Sequence, residues 1–375
     1  MITAFPTLCP NLEDIALYLL PRSPAITVVV SGMLLASNQN ALRLFHVNSS
    51  LTEEAREVLL KLPNLRKLLV VIERDGLPTS VVLPNLTDLI IKCDHGGDWP
   101  RFFRGATFGK LEVASFTSGP GQSGGFLEEF QRVALAASAQ NTLLQFHLCT
   151  PWSWNSNYTP LLPFTQLTYL VIEFPCEGGC SSIVDDDTVT NLARTMPKLE
   201  ILRLGGPPCP EIPIGATVNG LVFLANHCPH LCELCVHFQV ASFSTLPAIA
   251  GTTSDAGFTT PRGDCVLTEL EVGGIHVGEG PVLVVALTLA RIFPLIENIG
   301  YEGDENWGRV MDAINLSRQI LGYSGKEHTP LYFATSVTPP QEPHLRMVVD
   351  REMDRREDAL TSFDVISPSS AVATL

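Results

Sequence analysis

Residues 196–204 read Met-Pro-Lys-Leu-Glu-Ile-Leu-Arg-Leu, and residues 228–236 read Cys-Pro-His-Leu-Cys-Glu-Leu-Cys-Val. Both are one phrase: an apolar residue or Cys, a Pro, a spacer, then apolar-x-x-apolar-x-apolar. The apolar pattern starts at Leu12, Leu42, Leu65, Leu86, Leu111, Leu143, Leu167, Leu199, Leu231, Leu267 and Ile296. Successive starts lie 21 to 36 residues apart. A Pro stands two residues before the first apolar position at Pro10, Pro63, Pro84, Pro197, Pro229 and Pro294. Proline stops a preceding helix and can enter a strand where its missing N–H is tolerable. Each apolar core is about six residues long, which suits a short strand.

Helix-like segments lie between these cores, at 51–62, 126–139, 186–196, 218–226 and 282–293. The first begins with Thr52, Glu53 and Glu54, a capping residue followed by acids where the helix end is positive. A strand and a helix recurring at this period predict an α/β chain. The expected form is an irregular solenoid of about eleven β–α units with a curved, mainly parallel sheet on its concave side. A doubly wound or barrel fold also alternates strand and helix. The recurring phrase before the strand favours the solenoid.

The pattern resembles the leucine-rich repeat through its first six positions. The ninth position departs from it: it holds residues such as Leu20, Glu73, Pro151 and Gln239 where the family has Asn or Cys. Uneven turns are therefore expected. A narrower resemblance covers residues 183–238, Asp-Asp-Asp-Thr-Val-Thr-Asn-Leu-Ala through Met-Pro-Lys-Leu to His237-Phe238. It is similar to the repeat region of fungal F-box proteins. There an F-box recruits the adaptor of a cullin-type ubiquitin ligase, and the repeats hold the substrate. The resemblance implies a non-catalytic substrate receptor. In this chain the first copy begins at Leu12, which leaves no room for an F-box before it. Either an upstream segment is missing from this reading frame or the ligase connection has been lost. The alternatives are a free-standing repeat scaffold and, third, a serine hydrolase using Ser123.

Composition narrows the classes further. Of 375 residues, 45% are hydrophobic and 17% charged, enough apolar material for a large core. The 24 basic and 39 acidic residues give a net charge of −15. So acidic a chain is not expected to bind nucleic acid or an anionic membrane. No secretory leader is read at the N-terminus, and ten Cys are far below disulfide-scaffold density. A cytoplasmic or nuclear protein is expected. Residues 1–323 form the expected repeat body, with a capping helix at 307–321. Residues 324–375 form a Pro-rich and charged tail with one helix candidate at 345–360.

Five strings resemble chemistry. Residues 119–124 match the dinucleotide fingerprint G-x-G-x-x-G, but no ribose-binding acid ends the next strand, which closes on His147, Leu148 and Cys149. The same loop holds Gly121-Gln-Ser123-Gly-Gly125, a nucleophile-elbow string too far from its strand. Asp185 to Asp187 and His227 or His276 would supply the remaining partners. Cys228, Cys232 and Cys235, with nearby histidines, suggest a metal; the repeat places them as core and strand residues instead. Asp185, Asp186 and Asp187 read as a helix cap before a cation site. Cys176 and Cys180 read as loop thiols. No catalytic residue, cofactor or metal ligand is expected.

If the first, fourth and sixth positions face inward, the third, fifth and seventh form the outward face. Its first half carries apolar residues with Lys67 and Lys92. Its second half carries Glu173, Arg203, Glu233, Cys235, His237, Glu269, Glu271 and Glu302. The expected partner is a protein with a basic segment; a ligase adaptor would bind only through an F-box outside this sequence.

Overall fold

The Pro phrase makes a tight turn. In Leu83-Pro-Asn-Leu86, Met196-Pro-Lys-Leu199, Cys228-Pro-His-Leu231 and Phe293-Pro-Leu-Ile296, the N–H of the fourth residue donates to the carbonyl of the first, at 3.1–3.2 Å. Proline thus stands at the second position of a β-turn, where its fixed φ is already correct. The helix ends, the chain reverses, and the strand begins after five intervening residues, as between Thr195 and Ile201. Pro84 is the exception, because a short strand precedes it rather than a helix.

The computed structural model describes residues 12–17, 24–47, 50–72, 81–93, 99–104, 106–108, 110–119, 126–150, 157–173, 184–205, 215–245, 265–273, 277, 281–301 and 305–321. The chain divides into units Met1–Tyr323 and Ser324–Leu375, and everything described lies in the first. The expected tail and its helix at 345–360 lie outside the described residues.

Each phrase starts a strand: β1 Asp14–Leu17, β2 Leu44–Val47, β3 Lys67–Ile72, then β5 Asp88–Cys93 after the short β4 Val81–Leu83. After β6 Ala106–Phe108 come β7 Val113–Ser118, β8 Gln145–Cys149, β9 Tyr169–Glu173 and β10 Ile201–Leu204. The series closes with β11 Glu233–Val236, β12 Glu269–Gly273 and β13 Asn298–Tyr301. Eleven of these form one parallel sheet, ordered as in the chain. β4 and β6 form a separate two-stranded parallel ribbon, which the sequence pattern did not suggest.

The register repeats with the phrase. Third-position residues face third-position residues across the whole sheet, from Asp14 opposite Leu44 to Glu269 opposite Asn298. At every junction the second and third N–H groups of a strand share the second-position carbonyl of the strand before. Glu200 and Ile201 bond Thr168 O; Cys232 and Glu233 bond Glu200 O; Thr268 and Glu269 bond Cys232 O. Second-position side chains add to this ladder. The hydroxyls of Thr87, Thr168 and Thr268 donate to Arg66 O, Leu144 O and Cys232 O, and the Cys232 thiol donates to Glu200 O at 3.1 Å.

The first and fourth positions are buried in nearly every copy, and so is the sixth from Val47 to Val272. Tyr301, the sixth position of the last copy, is 43% exposed instead. The register shifts between Glu271 and Gly273 and removes the strict alternation there.

The helices are α1 Pro24–Ala36, α2 Glu53–Leu59, α3 Trp99–Arg104, α4 Phe126–Ala136, α5 Asp186–Thr195, α6 Val218–His227, α7 Val282–Ile292 and α8 Asn306–Leu321. Thr52 caps α2, accepting the Ala55 N–H, as its sequence suggested. α1 and α3 are additions to the expected helices. α4 stops short because Ser138 takes a left-handed φ of 59° before a 3-10 turn. Trp99, Phe102, Phe103, Phe116, Phe126, Phe130, Phe146 and Phe164 form one buried aromatic cluster beneath the middle strands, largely edge-to-face. No helix among the described residues is long and apolar enough to cross a membrane.

Candidate functional site

With the apolar positions turned under the sheet, alternation turns the third and fifth positions to the opposite face. Arg203, at the fifth position of β10, faces Cys235 on β11, which faces Glu271 on β12. The Arg203 side chain spans these three strands. Its Nε donates to Glu233 Oε1, and its Nη1 lies 3.0 Å from Glu271 Oε2. Arg203 and Glu233 side chains are 23% and 11% exposed, so this pair is largely withdrawn from water, whereas Glu271 is 47% exposed. Burial works against the Arg203 charge, but Glu233 and Glu271 outweigh it and hold its pKa above the ordinary value.

Cys235 lies beneath the same group. Burial pushes its thiol up to about 12, Glu271 adds to the rise, and Arg203 opposes it. Such a thiol stays protonated at neutral pH and is a poor nucleophile.

Beside the Arg203 pairs the face is hollowed into a depression of about 390 Å³, lined chiefly by Arg203, Glu233, Glu269, Glu271, Asn298 and Tyr301. Glu269 makes no ion pair among the described residues and stands exposed at the rim. His237, at the seventh position after β11, lies beside Gly205: a Cβ at Gly205 would be 3.8 Å from His237 Cε1. Gly205 has a φ of +113°, which an L side chain rarely adopts, so glycine is needed there. Glu302 lies outside the described residues.

Glu173 belongs to a second group. Ser115, His147 and Glu173 stand on β7, β8 and β9. Ser115 Oγ and His147 Nδ1 share a hydrogen bond of 3.0 Å, and His147 Nε2 lies 3.9 Å from Glu173 Oε2. The outward rows contained all three residues, but their side-chain directions came only with the neighbouring strands. Lys67, one of the two expected cations, lies 3.9 Å from Asp88 on the next strand.

The other strings resolve as follows. Ser123, Cys176, Cys180 and His276 lie outside the described residues. His227 shares a hydrogen bond with Phe223 O and stacks on that ring. Cys228 is fully buried against Ala193 O and Met196 O, and burial pushes its thiol up to about 12. Asp185 caps α5, accepting the Thr188 N–H at 2.8 Å; these hydrogen bonds hold its carboxyl below the usual range. Asp186 accepts the N–H and hydroxyl of Thr217 at 2.7 and 2.6 Å. Among the described residues no three His, Cys, Asp or Glu side chains are grouped to hold a metal.

A scan against protein-family models and a search of curated proteins both find no match to this chain.

Proposed function

We propose that this chain is a non-catalytic protein-interaction module, a leucine-rich-repeat-like solenoid whose outward sheet face binds a basic segment of a partner protein. One observation carries the reading: on the second half of the face Glu233 and Glu271 pair with a single guanidinium, Glu269 lines the same depression, and Glu173 stands on the strand before Arg203. That is a carboxylate excess on a broad face, in a chain of net charge −15. Opposite charge on a partner would steer encounter and fix register more than it would add affinity. The strand order, the constant register and the second-position ladder support the repeat reading.

In its specific form the proposal is a substrate receptor like those of F-box ubiquitin ligases. Its support is the resemblance of residues 183–238. The alternative is a free-standing scaffold that uses the same face. Affinity purification of the protein tagged at its C-terminus tests both. Recovery of a ligase adaptor and a cullin supports the receptor; partners without either leave the scaffold. Charge reversal at Glu269 and Glu271 should release the partners, and partners retained by that variant would refute the assignment to this face.

A further inference from the structure

Arg203 is placed where a ligand's cation would go. It reaches over Cys235, from β10 to β12, to meet two of the three carboxylates that line the depression. Glu233 is nearly buried and is matched by Arg203 inside the protein. Glu271 is different. It is 47% exposed, its outer surface opens on the depression, and Gly300 beside it presents no side chain, so nothing on β13 at that row screens it. A partner's guanidinium or ammonium approaching Glu269 therefore meets Glu271 already engaged by Arg203.

We propose that Arg203 is the specificity-determining residue of this face. It acts as an internal competitor for Glu271 and sets how strongly a cationic side chain must bind to enter the depression. The inference rests on the protein-binding reading above. The ligand class is a peptide segment bearing Arg or Lys, whose side chain would sit between Glu269 and Glu271 along the Tyr301 ring, where an aromatic face also favours a cation. Arg203 would keep its hold on Glu233 and yield Glu271. The exchange swaps one exposed charge contact for another, so wild-type affinity is modest and selectivity falls to partners with more than one basic side chain.

The test is binding of fluorescein-labelled octa-arginine by anisotropy at fixed ionic strength, with octa-glutamate as control. Three variants are compared with wild type. Arg203→Met removes the competitor and, with it, the ion pair of the nearly buried Glu233. Arg203→Met with Glu233→Gln removes both charges of that pair and restores the net charge to −15, since one positive and one negative charge are lost together. Lys110→Ala removes an exposed lysine elsewhere, so its net charge matches that of the single Arg203 variant. The double variant, and the single one if it folds, should bind about tenfold more tightly than wild type, with Lys110→Ala unchanged. Wild-type binding with no gain in the double variant would overturn the role of Arg203. An equal gain in Lys110→Ala would overturn it too, by showing that total charge governs. No binding by any form, including wild type, would instead refute the basic-partner reading beneath it.

Discussion

Asp185 and Asp186 stand side by side and secure two different helices. Asp185 caps its own helix, as a carboxylate before a helical run should. Asp186 reaches the next unit and holds Thr217, which in turn caps α6 by accepting the Asn219 N–H at 3.1 Å. Gly220 lies against this bond: a Cβ there would come within 2.8 Å of Asp186 Oδ1. Alanine is the better helix former, yet Gly220→Ala should lower stability by about 1–2 kcal/mol in urea denaturation, because Asp186 must leave Thr217. The loss should not add to that of Asp186→Ala in a double-mutant cycle. The thiols give a second residue-scale expectation. Burial raises Cys228 and Cys235 to about 12 and Cys265 to about 11, against an ordinary 9.0. Folding therefore favours the neutral thiol. Its contribution to stability is whole below pH 9 and falls as the pH climbs toward the folded values. Iodoacetamide at pH 8 should modify these three cysteines at least about tenfold more slowly in native protein than in urea. The cap was legible in the sequence, since a cap is a local pattern. The Asp186–Thr217 bond was not, because it joins residues 31 apart.

At the scale of the element, the strands were readable because each carries its own alternation of buried and outward residues, and in six of the eleven copies the turn before it carries a proline. The second-position ladder was visible only in part. Thr87, Thr168, Cys232 and Thr268 share a position and a small donor side chain, a signal that becomes meaningful once the strands are known to be parallel neighbours. Thr268→Val should cost about 0.5–1 kcal/mol, one partly buried hydrogen bond, while Cys232→Ser should be nearly neutral. The aromatic cluster is the largest single packing unit. Phe116 touches Trp99, Phe103, Phe126, Phe130 and Phe146, and Phe116→Ala should cost about 3–5 kcal/mol by thermal or urea denaturation. The ribbon of β4 and β6 and the short helix α3 were not legible. They are only 3 to 6 residues long, too short to show a period, and α3 enters the cluster through contacts of Trp99 and Phe103 with residues on later elements of the chain.

For the molecule as a whole, under the proposed function the net charge of −15 governs the arrival of a basic partner. The association rate with a basic peptide should fall severalfold between about 0.01 M and 0.15 M salt, as the screening length shrinks from about 30 Å to about 8 Å, while dissociation changes less. Stopped-flow fluorescence across that range checks it, and a salt-independent rate would contradict steering by the acidic face. The sequence by itself determined the α/β class, the parallel order of the eleven strands and which side chains lie under the sheet. The class and order follow from a phrase that recurs along the chain, and alternation within each strand sets what faces inward, Tyr301 excepted. Only the tertiary structure decided which outward charges meet. Arg203 lies 30 residues from Glu233 and farther still from Glu271, and nothing local links them. Their pairing depends on strands about 5 Å apart holding a register that no single copy contains.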